Sequence, residues 1–245
     1  MSVVWDTAFL DLPADVHARG TEFWCAVTAT TPSEPRGEDA QFATLLPGEG
    51  DAFLRVQRLG DVPRVHLDLH VEDVDAEASR AVGLGARVLL HEEHVVLVSP
   101  GGFVHCLVSD EGERVRPAPV TGERGGSARL DQVCLDVPAG LLTGELAYWT
   151  ALTGWSARQV DPKFHVLDRP AGMPLRLLVQ TLGADDHRDR VSAHLDLAAG
   201  DEVATVVAEH VDLGAEVLDV REEWTVLRDP AGVVYCVTHR DPRSG

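Results

Sequence analysis

The tetrapeptide His-Leu-Asp-Leu lies at positions 66–69 and returns at positions 194–197. Shorter motifs on both sides of it also occur twice, in the same order and at nearly the same separation. Because that separation grows only slowly along the chain, we infer an internal duplication with small loop insertions between two copies. The other repeated pairs are Asp11–Ala14 with Asp136–Ala139, Phe23-Trp24 with Tyr148-Trp149, Leu84–Ala86 with Leu213–Ala215, and Pro100–Cys106 with Pro230–Cys236.

Within each copy, the hydrophobic residues change between a strand-like and a helix-like spacing. Residues 5–12 form a short apolar run that ends at Pro13, and a helical pattern then continues to about Val27. A second strand is predicted over residues 65–71, followed by a second helical pattern and by strands joined through turns. These patterns predict an α+β fold with two βαβββ repeats in each copy and four in the protein.

A segment without any apolar period separates the two copies. Residues 111–128 are rich in charged residues, proline and glycine, which is typical of a linker. We therefore predict a first domain over residues 1–110, a linker over 111–128 and a second domain over 129–245.

The composition is that of an acidic, packed globular protein. Asp and Glu total 40 against 21 Lys and Arg, giving a net charge of −19, and 44% of the residues are hydrophobic. This charge argues against nucleic acid and anionic membranes as partners. The chain has no signal-peptide pattern, no apolar stretch long enough to span a bilayer, and four scattered cysteines without a CxxC pair. We therefore expect a cytoplasmic protein with reduced thiols.

The repeated motifs resemble those of the vicinal oxygen chelate superfamily, which contains glyoxalases, bleomycin-resistance proteins and extradiol dioxygenases. The resemblance rests on 66–69 with 84–86, and on 194–197 with 213–215 and Asp229–Gly232. It implies two tandem glyoxalase-like domains whose curved mixed sheets form a cup around a small organic ligand. It also implies a monomer in which the two domains pair within one chain, with a further homodimer left open.

The resemblance also points to candidate site residues, because metal-dependent members take His and Glu ligands from the first and last strands of each repeat. The matching positions are Thr7, Arg55 or Gln57, His66 and Cys106 in the first copy, and Gln132, Leu178 or Gln180, His194 and Cys236 in the second. Each copy has one His and no carboxylate among these positions. This donor set disfavours a divalent metal, so we predict no cofactor, although a metal is left open.

Two alternatives for these residues stay open at the level of sequence. A His and a Cys on facing strands could form a reactive thiolate–imidazolium pair, but we favour a buried thiol that packs as a small hydrophobe. Asp68 and Asp196 each follow a His by two residues, so each His-x-Asp pair shares one face of a strand. The Asp could orient the imidazole for action as a general base, or it could instead hold a loop backbone.

Two classes of function follow from this interpretation. The first is a metal-independent module that binds or sequesters a small organic molecule, as bleomycin-resistance proteins do. The second is a lyase or isomerase of the glyoxalase type that acts on a small carbonyl or oxygenated compound. We expect the first cup, with Arg55, Gln57, His66 and Asp68, to be more polar than the second and to prefer an anionic or carbonyl-bearing ligand.

Overall fold

A computed structural model describes residues 3–244 and contains the four predicted βαβββ repeats. Repeat 1 consists of β1 (Trp5–Leu12), α1 (His17–Thr28), β2 (Thr30–Pro32), β3 (Phe42–Pro47) and β4 (Leu54–Arg58). Repeat 2 consists of β5 (Arg64–Val71), α2 (Val74–Gly83), β6 (Arg87–His91), β7 (Val95–Val98) and β8 (Val104–Ser109). The α+β fold class predicted from the sequence is confirmed.

The second half of the chain repeats this plan after a short strand, β9 (Val120–Thr121). Repeat 3 consists of β10 (Ser127–Val137), α3 (Leu142–Thr153), β11 (Ser156–Asp161), β12 (Phe164–Asp168) and β13 (Arg176–Thr181). Repeat 4 consists of β14 (Ser192–Ala198), α4 (Val203–Asp212), β15 (Glu216–Val220), β16 (Trp224–Arg228) and β17 (Val234–Thr238). Within residues 3–244, no helix is long and apolar enough to cross a bilayer.

The strands form two mixed sheets. One has the order β2-β3-β4-β1-β5-β8-β7-β6, and the other has the order β11-β12-β13-β10-β14-β17-β16-β15, with β9 paired to β10. The first and last strands of repeat 2, β5 and β8, pair in parallel. The first and last strands of repeat 4, β14 and β17, pair in the same way. The hairpins that follow each helix are antiparallel.

The contacts divide the described chain into two compact units, each of which draws on both halves of the sequence. Compact unit 1 contains residues 3–8, His66–Arg114 and Val133–Ala193. Compact unit 2 contains Phe9–Val65, Val115–Gln132 and residues 194–244. A helix of one copy therefore packs within the same unit as strands of the other copy.

In compact unit 1, the core is centred on α3. The Trp149 indole N–H donates a hydrogen bond to Glu145 at 2.9 Å, one turn earlier on the same helix. The Glu145 carboxylate also accepts hydrogen bonds from the Ser99 hydroxyl and the Gly101 amide. Tyr148 lies 2.8 Å from His105 Nε2 on β8. These contacts satisfy the polar atoms of large aromatic groups in the core.

In compact unit 2, α1 occupies the corresponding place. Trp24 is fully buried, and its indole N–H donates to Asp229 at 2.7 Å. Its ring lies 5.3 Å from that of Tyr235 on β17, and Phe23 packs against Tyr235 and His210. Both repeated aromatic pairs are therefore buried in a core, where they pack against rings from the other copy.

Candidate functional site

In compact unit 1, three polar side chains of repeat 2 meet in the interior. His66 and Asp68 lie on β5, and the parallel pairing of β5 with β8 sets Asp68 directly beside Cys106. His66 Nε2 is 3.5 Å from Asp68 Oδ1, and one ligand atom of each residue lies within 4.8 Å of the other two. All three residues are at most 7% exposed. We call this group the first cluster.

The environment of the first cluster keeps the Cys106 thiol protonated. Burial, followed by the charge of the Asp68 carboxylate, raises the pKa of Cys106 to about 12. A thiol with this pKa carries almost no thiolate near neutral pH, and the thiolate is the nucleophilic form. The arrangement therefore favours the buried, unreactive thiol over a thiolate–imidazolium pair.

The same arrangement recurs in compact unit 2, where it forms the second cluster. His194 and Asp196 lie on β14, and the parallel register pairs Asp196 with Cys236 on β17. His194 Nε2 is 3.3 Å from Asp196 Oδ1, and the three residues again have ligand atoms within 4.8 Å of one another. The Gln132 amide donates a hydrogen bond to Asp196, which joins a fourth predicted residue to the group.

Thr7 belongs to a different contact in compact unit 1. Its hydroxyl lies 2.9 Å from Nε2 of His70, and His70 Nδ1 lies 3.5 Å from Glu113. Thr7 and His70 are fully buried. His70 and Glu113 are not among the residues predicted from the sequence, although His70 continues the period-two series of His66 and Asp68 on β5.

The remaining predicted residues have separate surroundings. The Arg55 guanidinium lies over the Phe9 ring, 5.8 Å from its centroid, within compact unit 2. Gln57 faces Phe42 across the β3–β4 pair in the same unit. Gln180 accepts a hydrogen bond from the Cys134 thiol at 3.7 Å within compact unit 1. Whether Arg55 and Gln57 act together with His66 and Asp68 stays a prediction.

The donor atoms of the two clusters differ from those expected for a metal-dependent relative. Each cluster offers one imidazole, one carboxylate and one thiol. Mn²⁺ prefers carboxylate, carbonyl and water oxygens, and a non-haem Fe²⁺ centre uses two imidazoles with one carboxylate, whereas thiols suit softer ions. The clusters therefore do not fit a manganese or iron centre of the family type.

Comparison with known proteins adds a family and a fold. A family model described as a glyoxalase-like domain matches residues 7–108 and again residues 132–238. No curated protein is matched by the sequence. The two matched segments together cover most of the chain and agree with the internal duplication.

Several solved structures share the fold at low sequence identity. The Mn(II)-bound glyoxalase from Novosphingobium aromaticivorans has a TM-score of 0.70 at 14% identity, over 98% of this chain and 83% of its own. A variant of 4-hydroxymandelate synthase from Streptomyces coelicolor has a TM-score of 0.62 at 17% identity, over 100% and 94%. The 2,2',3-trihydroxybiphenyl 1,2-dioxygenase from Sphingomonas wittichii strain RW1 has a TM-score of 0.60 at 16% identity, over 95% and 88%.

Proposed function

The chain belongs to the glyoxalase-like domain family of the vicinal oxygen chelate superfamily, and from that premise we propose that it binds a small organic molecule without a metal. The observation that carries the proposal is the His–Asp–Cys cluster, which occurs once in each compact unit and is buried in the first and largely buried in the second. A few polar groups among apolar strands are typical of small-ligand sites.

Metal independence is supported by the chemistry of the donors. Cys106 stands where the resemblance places a Glu ligand, and Thr7 stands where it places a first-strand ligand. Thr7 is hydrogen bonded to His70. In this proposal the imidazole, carboxylate and thiol contact the ligand directly, and the neutral thiol packs against its apolar part.

A second candidate function is a metal-independent lyase or isomerase acting on a small carbonyl compound. The observation that favours it is the imidazole–carboxylate pair of each cluster, at 3.5 Å in the first and 3.3 Å in the second. A carboxylate beside an imidazole orients the ring and stabilises its protonated form, as general base catalysis requires.

Purification of the untagged full chain tests the proposal. Native mass spectrometry is expected to find a co-purified organic molecule, and its occupancy should fall in Asp68→Asn or Asp196→Asn. Asp219→Asn is the matched control, because Asp219 lies on the exposed edge strand β15 and pairs with Arg221. Metal analysis is expected to find less than stoichiometric metal after dialysis against a chelator.

Two results would contradict the proposal. Stoichiometric zinc, iron, nickel or manganese that survives the chelator and is lost in His66→Ala or His194→Ala would show a metal centre. A bound molecule whose occupancy is the same in the Asp68, Asp196 and Asp219 variants would place the ligand outside the two clusters. Conversion of the bound molecule by the wild type and not by His66→Gln or His194→Gln would favour the enzyme.

A further inference from the structure

Strand β6 (Arg87–His91) is the terminal strand of its sheet, and every side chain on it is exposed. At its centre three successive apolar side chains, Val88, Leu89 and Leu90, are exposed by 39%, 50% and 41%. On one side β6 pairs with β7, and the order of the sheet places no strand of residues 3–244 on its other side. The outer edge of β6 can therefore offer backbone N–H and C=O groups to another strand.

Opposite charges stand at the two ends of this apolar centre. Arg87 is the first residue of the strand, and Glu92 follows its last residue. Both side chains are exposed, and neither forms a hydrogen bond or an ion pair within the described part of the chain. When two copies of β6 pair antiparallel about a point between Leu89 and Leu90, Arg87 of one copy lies opposite Glu92 of the other. The strand is therefore complementary to itself in apolar character and in charge.

Strand β15 is the corresponding edge of the other sheet, but a charge interrupts its exposed apolar side chains. Counted from the Leu-Gly-Ala motif of each copy, Asp219 stands where β6 has Leu90. A carboxylate in the middle of an edge strand opposes pairing with a second copy of that strand. The charges of β15 are also paired within the chain, Glu216 with Arg228 and Asp219 with Arg221. Edge β15 is therefore protected in a way that β6 is not.

The two remaining sheet edges of the described chain are less suited to pairing. Strand β2 has three residues and ends in Pro32, which has no backbone N–H to donate. Strand β11 carries mainly polar side chains. Both β6 and β15 shift register against their neighbouring strand, at Leu89 and at Leu218, so this irregularity does not distinguish the two edges. The apolar centre and the unpaired end charges single out β6.

We propose that β6 is a dimer interface, at which two copies of this chain pair antiparallel and join their sheets edge to edge. The pairing covers Leu89 and Leu90 of both copies and forms two Arg87–Glu92 ion pairs. Since a single short strand makes a small interface, we expect a weak dimer that dissociates at micromolar concentrations. The interface involves neither His–Asp–Cys cluster, so it does not depend on the function proposed above.

Sedimentation of the full chain between micromolar and millimolar concentrations tests this assignment. We expect a monomer–dimer equilibrium without larger species, because a two-fold contact closes at two copies. Leu90→Asp should raise the dissociation constant at least about tenfold, since it gives β6 the charge that β15 carries and enters the interface twice. Val220→Asp is the matched control, because it adds the same charge to β15 at a side chain exposed by 68%. It should change the dissociation constant by less than about twofold.

Exchange of the end charges tests the register. Arg87→Glu and Glu92→Arg should each weaken the dimer by about threefold or more, because like charges then face each other at both ends. The double variant should regain the wild-type dissociation constant, since it restores both ion pairs in the reverse sense. These exposed substitutions also keep the test valid if Leu90→Asp does not fold. Hydrogen exchange of the β6 amides in the wild type should slow as the protein concentration rises.

A wild-type chain that stays monomeric at millimolar concentration would overturn the proposal. Equal weakening by Leu90→Asp and Val220→Asp would overturn it as well, because β6 would then not be the contact. Oligomers that keep growing with concentration would show a head-to-tail contact in place of the two-fold pairing. A double variant that stays as weak as Arg87→Glu alone would contradict the antiparallel register.

Discussion

At the scale of single residues, the state of Cys106 decides what the first cluster can do. Its pKa of about 12 leaves roughly one thiol in ten thousand ionised at about pH 8. The neighbouring His66 therefore does not make this cysteine a nucleophile. Cys25, by contrast, lies on α1 and is partly exposed.

Alkylation measures this difference directly. Iodoacetamide at about pH 8 should label Cys25 well before Cys106, because accessibility and thiolate content together set the rate. Peptide mapping by mass spectrometry gives the extent of labelling at each site. Protein unfolded in urea, in which all four cysteines should react, is the control. Labelling of native Cys106 at the rate of Cys25 would contradict the description of the cluster.

Asp229 offers a second test at this scale. One of its oxygens accepts the backbone N–H groups of Ala231 and Val233, and the other accepts the Trp24 indole N–H. In Asp229→Asn, an amide nitrogen faces the indole N–H, so one buried donor loses its acceptor. We expect the free energy of unfolding to fall by about 1–3 kcal/mol in urea titrations.

The control for Asp229 is Asp219→Asn, which changes a carboxylate exposed by 44% and should alter stability by less than about 0.5 kcal/mol. Equal losses in the two variants would show that the contact with Trp24 adds little.

The residues of the clusters were predictable only in part. The period of two in strand β5 predicts that His66 and Asp68 share a face, and the structure brings them together. The pairing of Asp68 with Cys106 depends on the register between β5 and β8, which no short motif specifies. Thr7 was assigned to the ligand site, but its contact with His70 becomes visible only when β1 and β5 are seen in three dimensions.

At the scale of elements, α1 and α3 each bury a Trp side chain, but the carboxylate that accepts its indole N–H comes from a different place in each case. Each carries a buried Trp whose indole N–H needs a carboxylate. In α3 the carboxylate is Glu145 on the helix itself, and near α1 it is Asp229 on a turn after β16. The position on α1 that corresponds to Glu145 is Gly20, where a side chain would collide with its neighbours. The two copies have therefore diverged while keeping the same hydrogen bond.

A pair of glycine substitutions tests this packing. A Cβ on Gly20 would lie 2.7 Å from Leu12 Cδ1 and 2.8 Å from the Cβ of Ala231, so Gly20→Ala should destabilise the protein by about 1–3 kcal/mol. A Cβ on Gly144 of α3 would meet no atom within 4 Å, so Gly144→Ala should stabilise the protein by about 0.5–1 kcal/mol. Thermal unfolding measures both variants. A stabilising Gly20→Ala would contradict the close approach.

Elements with strong periodicity were predictable from the sequence, and elements without it were not. Strands β1 and β5 lie within one residue of the predicted segments 5–12 and 65–71, and α1 ends one residue after the predicted end near Val27. Strand β2 was missed because it has three residues and ends in Pro32. Strand β11 was missed because all its side chains are exposed, which leaves no alternation to detect.

At the scale of the whole molecule, two buried histidines make stability depend on pH. Burial lowers the pKa of His105 to about 4 and that of His210 to about 4. The side chain of His105 lies beside Tyr148, and that of His210 beside Tyr235. In the unfolded chain these histidines take up a proton near pH 6.5, whereas in the folded protein they stay neutral down to about pH 4. The free energy of unfolding is therefore highest above about pH 6.5 and falls as the pH is lowered toward 4.

We expect this loss to reach about 3 kcal/mol for each histidine, measured as the free energy of unfolding in urea between about pH 7 and pH 4. Burial raises the pKa of Glu145 and of Asp229, so these groups change stability in the opposite direction. The comparison with variants isolates the histidine contribution. His105→Gln and His210→Gln should be less stable at neutral pH but less sensitive to acid. An unchanged pH dependence in both variants would contradict the assignment.

The composition of the compact units also determines when each can form during synthesis on the ribosome. Compact unit 1 needs residues up to Ala193, and compact unit 2 needs residues beyond 194, so neither is complete when the first copy has emerged. The contacts of Trp24 with Asp229 and Tyr235 cannot form until these residues, some 205 positions later in the case of Asp229, have been made. Contacts between such distant residues form slowly, because a long loop must close first. We therefore expect the nascent chain to carry the apolar face of α1 exposed until Asp229 and Tyr235 have been made.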